Sequence, residues 1–343
     1  RGHLMNQSIK SLHVSSCERF TDQAFAALLA YYPPPITPVG QAPVPYKELQ
    51  LTRLRVSSCG LSDGITNTII TAIRDTSMLV HLKGLALDDN AISLSGLGPN
   101  SPAAAKADKG ESPATLLGAA LRRLTKLEQL DLSHNVLMKD TVCAELCTAL
   151  LAAKPADGTS TPPSLKLLHL GNTGAGNSTS VACSDALAMP GCVLSVLCLS
   201  GEVGDVGARA IGSALGKGCA LKELYLGNRV SDLGVEKLCT IIGDAESPNV
   251  LEVLCLGGIV RGDVLIKNKL EARSAALIGQ ALRSNVNGPL QCLRLTGNSM
   301  IGGHACLGLI GSLQNCSKLK ALHLEGCGLT KPEMAPMVES MNE

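Results

Sequence analysis

Leu82-Lys-Gly-Leu85-Ala-Leu87-Asp-Asp-Asn90 is the stretch that decides how this chain folds. The phrase Leu-x-x-Leu-x-Leu-x-x-Asn returns at Leu127-Glu-Gln-Leu130-Asp-Leu132-Ser-His-Asn135 and at Leu290-Gln-Cys-Leu293-Arg-Leu295-Thr-Gly-Asn298. Weaker copies begin at Ile9, Leu51, Leu165, Leu194, Leu221, Leu251 and Leu319, which makes ten in all. Two leucines separated by one residue predict a short strand whose leucines point inward and whose middle residue points outward. The Asn, where it is kept, can satisfy exposed backbone groups at the turn that follows.

Helical spacing follows each turn. Val206, Ala210, Ile211, Ala214 and Leu215 form one apolar stripe, and Val235, Leu238, Ile241 and Ile242 form the next. Phe25, Leu28 and Leu29 do the same in the first unit, and the segment from Leu116 to Leu124 in the third. A strand, a helix and another parallel strand, repeated, make an α/β solenoid in which each unit buries its apolar face only against its neighbours. Helices are wider than strands, so a stack with an inner parallel β-sheet and outer helices is expected to curve into a horseshoe or arc.

With a base unit of about 29 residues and a helix on the outer side, the chain resembles the leucine-rich repeats of the ribonuclease-inhibitor type. That resemblance runs through nearly the whole chain and implies a leucine-rich-repeat solenoid of about ten repeats. It also implies a non-catalytic scaffold or adaptor that binds a protein partner on the concave sheet and its rims, as part of a larger protein. Two other roles come with the same resemblance. One is a regulator of a small GTPase similar to Ran GTPase-activating proteins, with Arg229, in the place of a repeat Asn, as the presented arginine. The other is the ligand-sensing repeat region of a NOD-like receptor.

Residues 9–343 read as one repeat domain, and residues 1–8 as a leader or expression remnant. Four insertions break the period, at about 33–45, 93–113, 154–164 and 261–273. The first is proline-rich and expected to be extended. The second and third have little to bury. The fourth, with Val264, Leu265 and Ile266, is expected to fold locally. Within it Arg261-Gly262-Asp263 is read as a charged loop tip. Tyr31, Tyr32 and Tyr46, with Phe20 and Phe25, gather at the first repeat, where they would close the open end of the core.

Apolar residues make up 45% of the 343 and aromatics only 2%, so the core is built of Leu, Ile, Val, Ala and Cys, which tile at a fixed spacing. Thirty basic residues against 29 acidic ones leave a net charge of +1, with no field to attract nucleic acid or an acidic membrane. No run of about 18 apolar residues suggests a membrane span. Of the fourteen cysteines, Cys17, Cys59 and Cys327 stand where the repeat has Asn, and Cys198, Cys255 and Cys292 lie in strands. They are read as reduced thiols behaving as small hydrophobes in an intracellular, cytoplasmic protein.

The residue between the strand leucines gives the expected contact face. The column is His13, Arg55, Ala86, Asp131, His169, Cys198, Tyr225, Cys255, Arg294 and His323, flanked by Arg53, Gln129, Leu167, Val196, Glu223, Val253 and Ala321. From it the partner-binding set is Arg55, Asp131, His169, Val196, Tyr225, Val253, Arg294 and His323, around a small and apolar centre with Tyr225 as its aromatic anchor. His13, His169 and His323 share the column but are too many strands apart to cooperate. Cys143 and Cys147 lack further zinc ligands. No acid–base pair, no activated nucleophile and no phosphate loop is read, so neither enzyme activity nor a cofactor or metal is expected. The module is expected to be monomeric, with a protein as its partner.

Overall fold

The computed structural model describes residues 9–30, 51–75, 79–96, 111–151, 164–261, 264–314 and 316–330. Among them, ten parallel strands alternate with nine α-helices, and strand order in the sheet is chain order, as expected of an α/β repeat solenoid. The chain divides into two compact units, Arg1–Leu168 and His169–Glu343.

The first unit runs β1 (Ser11–Ser15), α1 (Asp22–Ala30), β2 (Arg53–Ser57), α2 (Gly64–Asp75), β3 (Gly84–Ala86), α3 (Pro113–Arg122), β4 (Gln129–Asp131), α4 (Asp140–Leu151) and then enters β5 (Leu167–His169). Pairing is in register, Leu12↔Leu54↔Leu85↔Leu130, so each leucine stacks on its counterpart. Leu54, Leu85 and Leu130 are at most 2% exposed. Burying one such side chain contributes roughly 2 kcal/mol, and the repetition builds a continuous core from many similar layers. Leu12, in the first strand, is only half-buried, while Phe25 of α1 is wholly enclosed and Phe20 is half-buried. Tyr31, Tyr32 and Tyr46, expected to close this end, lie outside the described residues, as do the insertion at 33–45 and most of those at 93–113 and 154–164.

The second unit completes β5 and continues with α5 (Asn177–Leu187), β6 (Val196–Gly204), α6 (Asp205–Leu215), β7 (Glu223–Arg229), α7 (Asp232–Gly243), β8 (Val253–Cys255), β9 (Ile259–Arg261), β10 (Val264–Ile266), α8 (Ala272–Ser284), β11 (Cys292–Arg294), α9 (Gly303–Gly311) and β12 (Ala321–His323). Register runs Leu197↔Leu224↔Leu254↔Leu293↔Leu322. The expected stripe of α6 is out of phase at its start. Val206 is 61% exposed, and Gly207 and Ala208 turn inward with Ile211, Ala214 and Leu215.

Two hydrogen-bond ladders hold successive repeats together. In the first, the side-chain amide of each repeat Asn donates to the carbonyl just past its own strand and to the corresponding carbonyl of the repeat before. Asn135 reaches Leu132 and Leu87, both at 2.9 Å, and Asn298 reaches Leu295 at 2.6 Å and Leu256 at 2.9 Å. Cys59 and Cys327 imitate this with sulfur, donating to the Ser57 and Leu295 carbonyls at 3.1 Å. Thr173 does so with its hydroxyl, to Leu170 at 2.7 Å.

The fourth insertion falls inside this ladder. The antiparallel hairpin β9–β10 is inserted directly after β8, ahead of the ladder residue. Ile259, which the period places where Asn should stand, belongs to that hairpin. The buried Asn268 takes the role instead, donating to Leu256 at 2.9 Å and Leu226 at 3.3 Å and accepting from the Val230 amide at 3.0 Å. The inserted stretch therefore starts earlier than 261, and by Ala272 the chain is helical again.

In the second ladder, a carboxylate or amide at the start of one helix accepts from the start of the next. Asp205 of α6 takes the Ser231 amide at 2.7 Å, its hydroxyl at 2.7 Å and the Gly234 amide at 3.0 Å. Asn177 of α5 accepts in the same way from Gly204 and Gly207. Gly234 is required, because a Cβ there would sit 2.6 Å from Asp205 Oδ1.

Candidate functional site

In parallel, in-register strands, the outward residue of every repeat becomes a side neighbour of the next repeat's outward residue, about 4.8 Å away. In the first unit this column is His13↔Arg55↔Ala86↔Asp131. Arg55 is engaged there, giving Nε–H to Ser57 at 2.8 Å and pairing through a terminal nitrogen with Asp88 at 2.8 Å. Asp131 accepts from the amide and hydroxyl of Ser133.

In the second unit the column contains His169, then Cys198↔Tyr225↔Cys255↔Arg294↔His323. Val196 and Val253 flank it and are half-buried. The Tyr225 hydroxyl donates to Glu223 Oε2 at 2.8 Å, so the proposed anchor is tethered along its own strand. Burial, and then this bond to a carboxylate, push its phenol well above the usual tyrosine range. His323 lies 3.5 Å from Glu325. The Glu325 carboxyl is held below its ordinary range by its own backbone amide and the Thr296 hydroxyl, with His323 adding to the effect.

The centre is polar rather than simply apolar. His169 and Cys198 face each other from β5 and β6, which are joined by the Leu170 amide donating to the Cys198 carbonyl at 2.9 Å. The Cys198 sulfur also lies 3.3 Å from the Ser200 hydroxyl. Burial raises its pKa, but the hydrogen bond and charge of His169 and the bonds from Ser200 outweigh that, and the thiol ends below its ordinary value. Gly171 closes the group. A Cβ there would lie 2.8 Å from His169 Nε2, 2.8 Å from Ser200 Oγ and 3.1 Å from Cys198 Sγ. Cys255 occupies the same outward place two strands on, and burial keeps its thiol raised despite the Gly257 amide and Arg294.

This cluster overturns the reading that no nucleophile has an activating neighbour. The signal was present: His169 and Cys198 hold the outward place in consecutive repeats, and register alone makes them adjacent. Cys198, Cys255 and Cys292 are also half-buried rather than core, unlike Cys59, Cys143, Cys147 and Cys183. All fourteen cysteines are thiols. Among the described residues no group of three or more His, Cys, Asp or Glu is placed to hold a metal ion.

The four most exposed large apolar side chains among the described residues lie elsewhere, while Val181, Met189, Val193 and Val250, 39–46% exposed, lie within or after helices. Leu137 (54%) follows β4, Met300 (67%) follows β11, and Val206 (61%) and Leu233 (58%) begin α6 and α7. All four occupy the passage from strand to helix. Arg229 lies at this edge too, ion-paired with Glu202, and these two residues stand where repeats seven and six would have Asn. There β6 and β7 stay paired beyond their leucines, Gly204↔Arg229, after a bulge.

Strand, turn, ladder residue and helix together define a leucine-rich-repeat-like solenoid. No protein-family model matches the chain, and no curated protein matches it. Among solved structures, it is similar to an internalin (inlF) from Listeria monocytogenes, with 15% identity, 92% of this chain and 87% of that chain covered, and a TM-score of 0.40. It is also similar to a chain of the yeast Rad7 and Elc1 complex, with 14% identity, 97% and 73% covered, and a TM-score of 0.47. The repeat assignment rests on this chain's own registers and ladders. No helix of the described residues is long and apolar enough to cross a membrane.

Proposed function

We propose that the chain is a non-catalytic protein-binding scaffold, built of repeats of the ribonuclease-inhibitor type, acting as a monomeric cytoplasmic module without a cofactor. One observation supports this above the others: Val206 and Leu233, each the second residue of its helix, and Met300, just ahead of α9, expose large apolar surface at the strand-to-helix edge in the second unit. Apolar side chains recurring along one edge fit a partner footprint better than scattered surface residues do. The outward sheet residues Arg55, Asp131, Tyr225 and His323 have polar partners of their own. Within the second unit, Tyr225 and His323 suit the polar part of such a footprint, beside Val196 and Val253.

The test is affinity capture with two variants of the full chain. Val206→Asp/Leu233→Asp/Met300→Asp addresses the edge, and Tyr225→Ala/Val196→Asp/Val253→Asp addresses the sheet face. Loss of one reproducible partner in the first variant, at unchanged thermal stability, is the expected result. Retention of every partner by both variants would overturn the reading.

A further inference from the structure

We infer that Cys198 is a covalent modification site, which takes up one half of a low-molecular-weight disulfide by thiol exchange with His169 as its proton partner. Three independent features meet at this thiol. The first is position: the strand points Cys198 away from the leucine core, and its side chain is half-buried rather than enclosed. The second is company: His169 from β5 and Ser200 from its own strand supply the groups that stabilise a thiolate, a positive charge and hydrogen-bond donors. The third is closeness: a Cβ on Gly171 would meet the imidazole nitrogen and the hydroxyl at 2.8 Å and the sulfur at 3.1 Å, so the three groups converge on one point beside the glycine backbone. Tyr225 of β7 lies on the other side, its hydroxyl turned to Glu223, and Cys255 lies one strand beyond.

The exchange balances without any further reactant. The Cys198 proton passes to His169, and the thiolate attacks one sulfur of the disulfide. A new S–S bond forms as the old one breaks, and the electron pair leaves with the second sulfur. That thiolate takes the proton from the His169 imidazolium. Cys198 is oxidised and the departing half reduced. A thiol whose pKa has moved from its ordinary value toward neutrality is the most effective attacker in such an exchange.

Cys255 is the built-in control, a half-buried thiol in the same column that lacks the His169 and Ser200 neighbours and is raised rather than lowered. The folded wild-type chain is treated with glutathione disulfide, and separately with iodoacetamide between about pH 6 and about pH 9, and modified peptides are quantified by mass spectrometry. Cys198 should form the mixed disulfide before Cys255. Its alkylation should reach half-maximal rate at lower pH than that of Cys255. His169→Gln should move that midpoint upward and slow the neutral-pH reaction by roughly tenfold. Gly171→Ala, which keeps every reacting group but wedges them apart, should have the same direction of effect. Equal rates at Cys198 and Cys255, or a midpoint unmoved in both variants, overturns the inference. Partner capture plays no part in these readouts, so they stand or fall apart from the scaffold reading.

Discussion

Asn268 donates its side-chain N–H to the Leu256 carbonyl at 2.9 Å across twelve residues of chain, whereas Asn298 makes the equivalent bond to Leu295 across three. The hairpin β9–β10 accounts for the difference, and the repeat closes around it unaltered. Two changes should therefore have unlike effects. Asn268→Ala takes the acceptor from the buried Val230 amide and a donor from the Leu226 and Leu256 carbonyls, the latter still bonded to Asn298, and should lower stability by about 1 to 3 kcal/mol. Deleting residues 259–267 restores the spacing Leu256-Gly257-Gly258-Asn and should change stability far less. Chemical denaturation of both variants measures the contrast, and a deletion more damaging than the point substitution would contradict it.

Asp205 caps a helix other than its own. Asp205→Ala should cost about 1 to 2 kcal/mol, the usual range for losing such an acceptor, with the effect centred on α7. Hydrogen exchange should show the amides of Ser231 and Gly234 losing protection first. Protection lost first within α6 would argue against this ladder.

Tyr225 predicts an alkaline limit. Its phenol is raised in the folded chain, by burial first and then by Glu223, relative to about 10 in the unfolded state. A raised folded value means that the contribution to stability is complete below the unfolded pKa and is lost as pH rises through the folded one. Ultraviolet titration of wild type and Tyr225→Phe should show Tyr225 still protonated where an ordinary phenol ionises. The stability difference between the two should shrink only above about pH 10.

Arg229 and Glu202 pair in the open, with side chains 62% and 47% exposed. Arg229→Ala should shift the thermal midpoint little, as exposed pairs contribute about 0 to 1 kcal/mol. A scaffold should also leave GTP hydrolysis by a panel of small GTPases unaccelerated. Stimulation that disappears in Arg229→Ala would favour the regulator reading implied by the repeat resemblance.

The core was legible because a period of leucines states a distance as well as a polarity. The spacing alone places Leu54, Leu85 and Leu130 on one layer, and they stack there. What a fixed offset could not show was Asn268, since counting from Leu256 ends on Ile259. The phase of α6 was missed for a related reason, because the chain begins its helix at Asp205 only after a lengthened β6. The contact column was legible residue by residue, but chemistry arises between columns of neighbours. His169 and Cys198 are 29 positions apart in the chain, a distance at which spacing motifs are silent.

The helix-start ladder also has a direction. Asn177, Asp205 and Asp232 each accept from the repeat that follows. A unit removed from the front would strand amide donors, which interiors tolerate poorly; one removed from the back would strand acceptor oxygens, which water reaches more readily. Growth from the front is thus the cheaper order. A chain leaving the ribosome amino end first meets, at each new helix, an acceptor already in place.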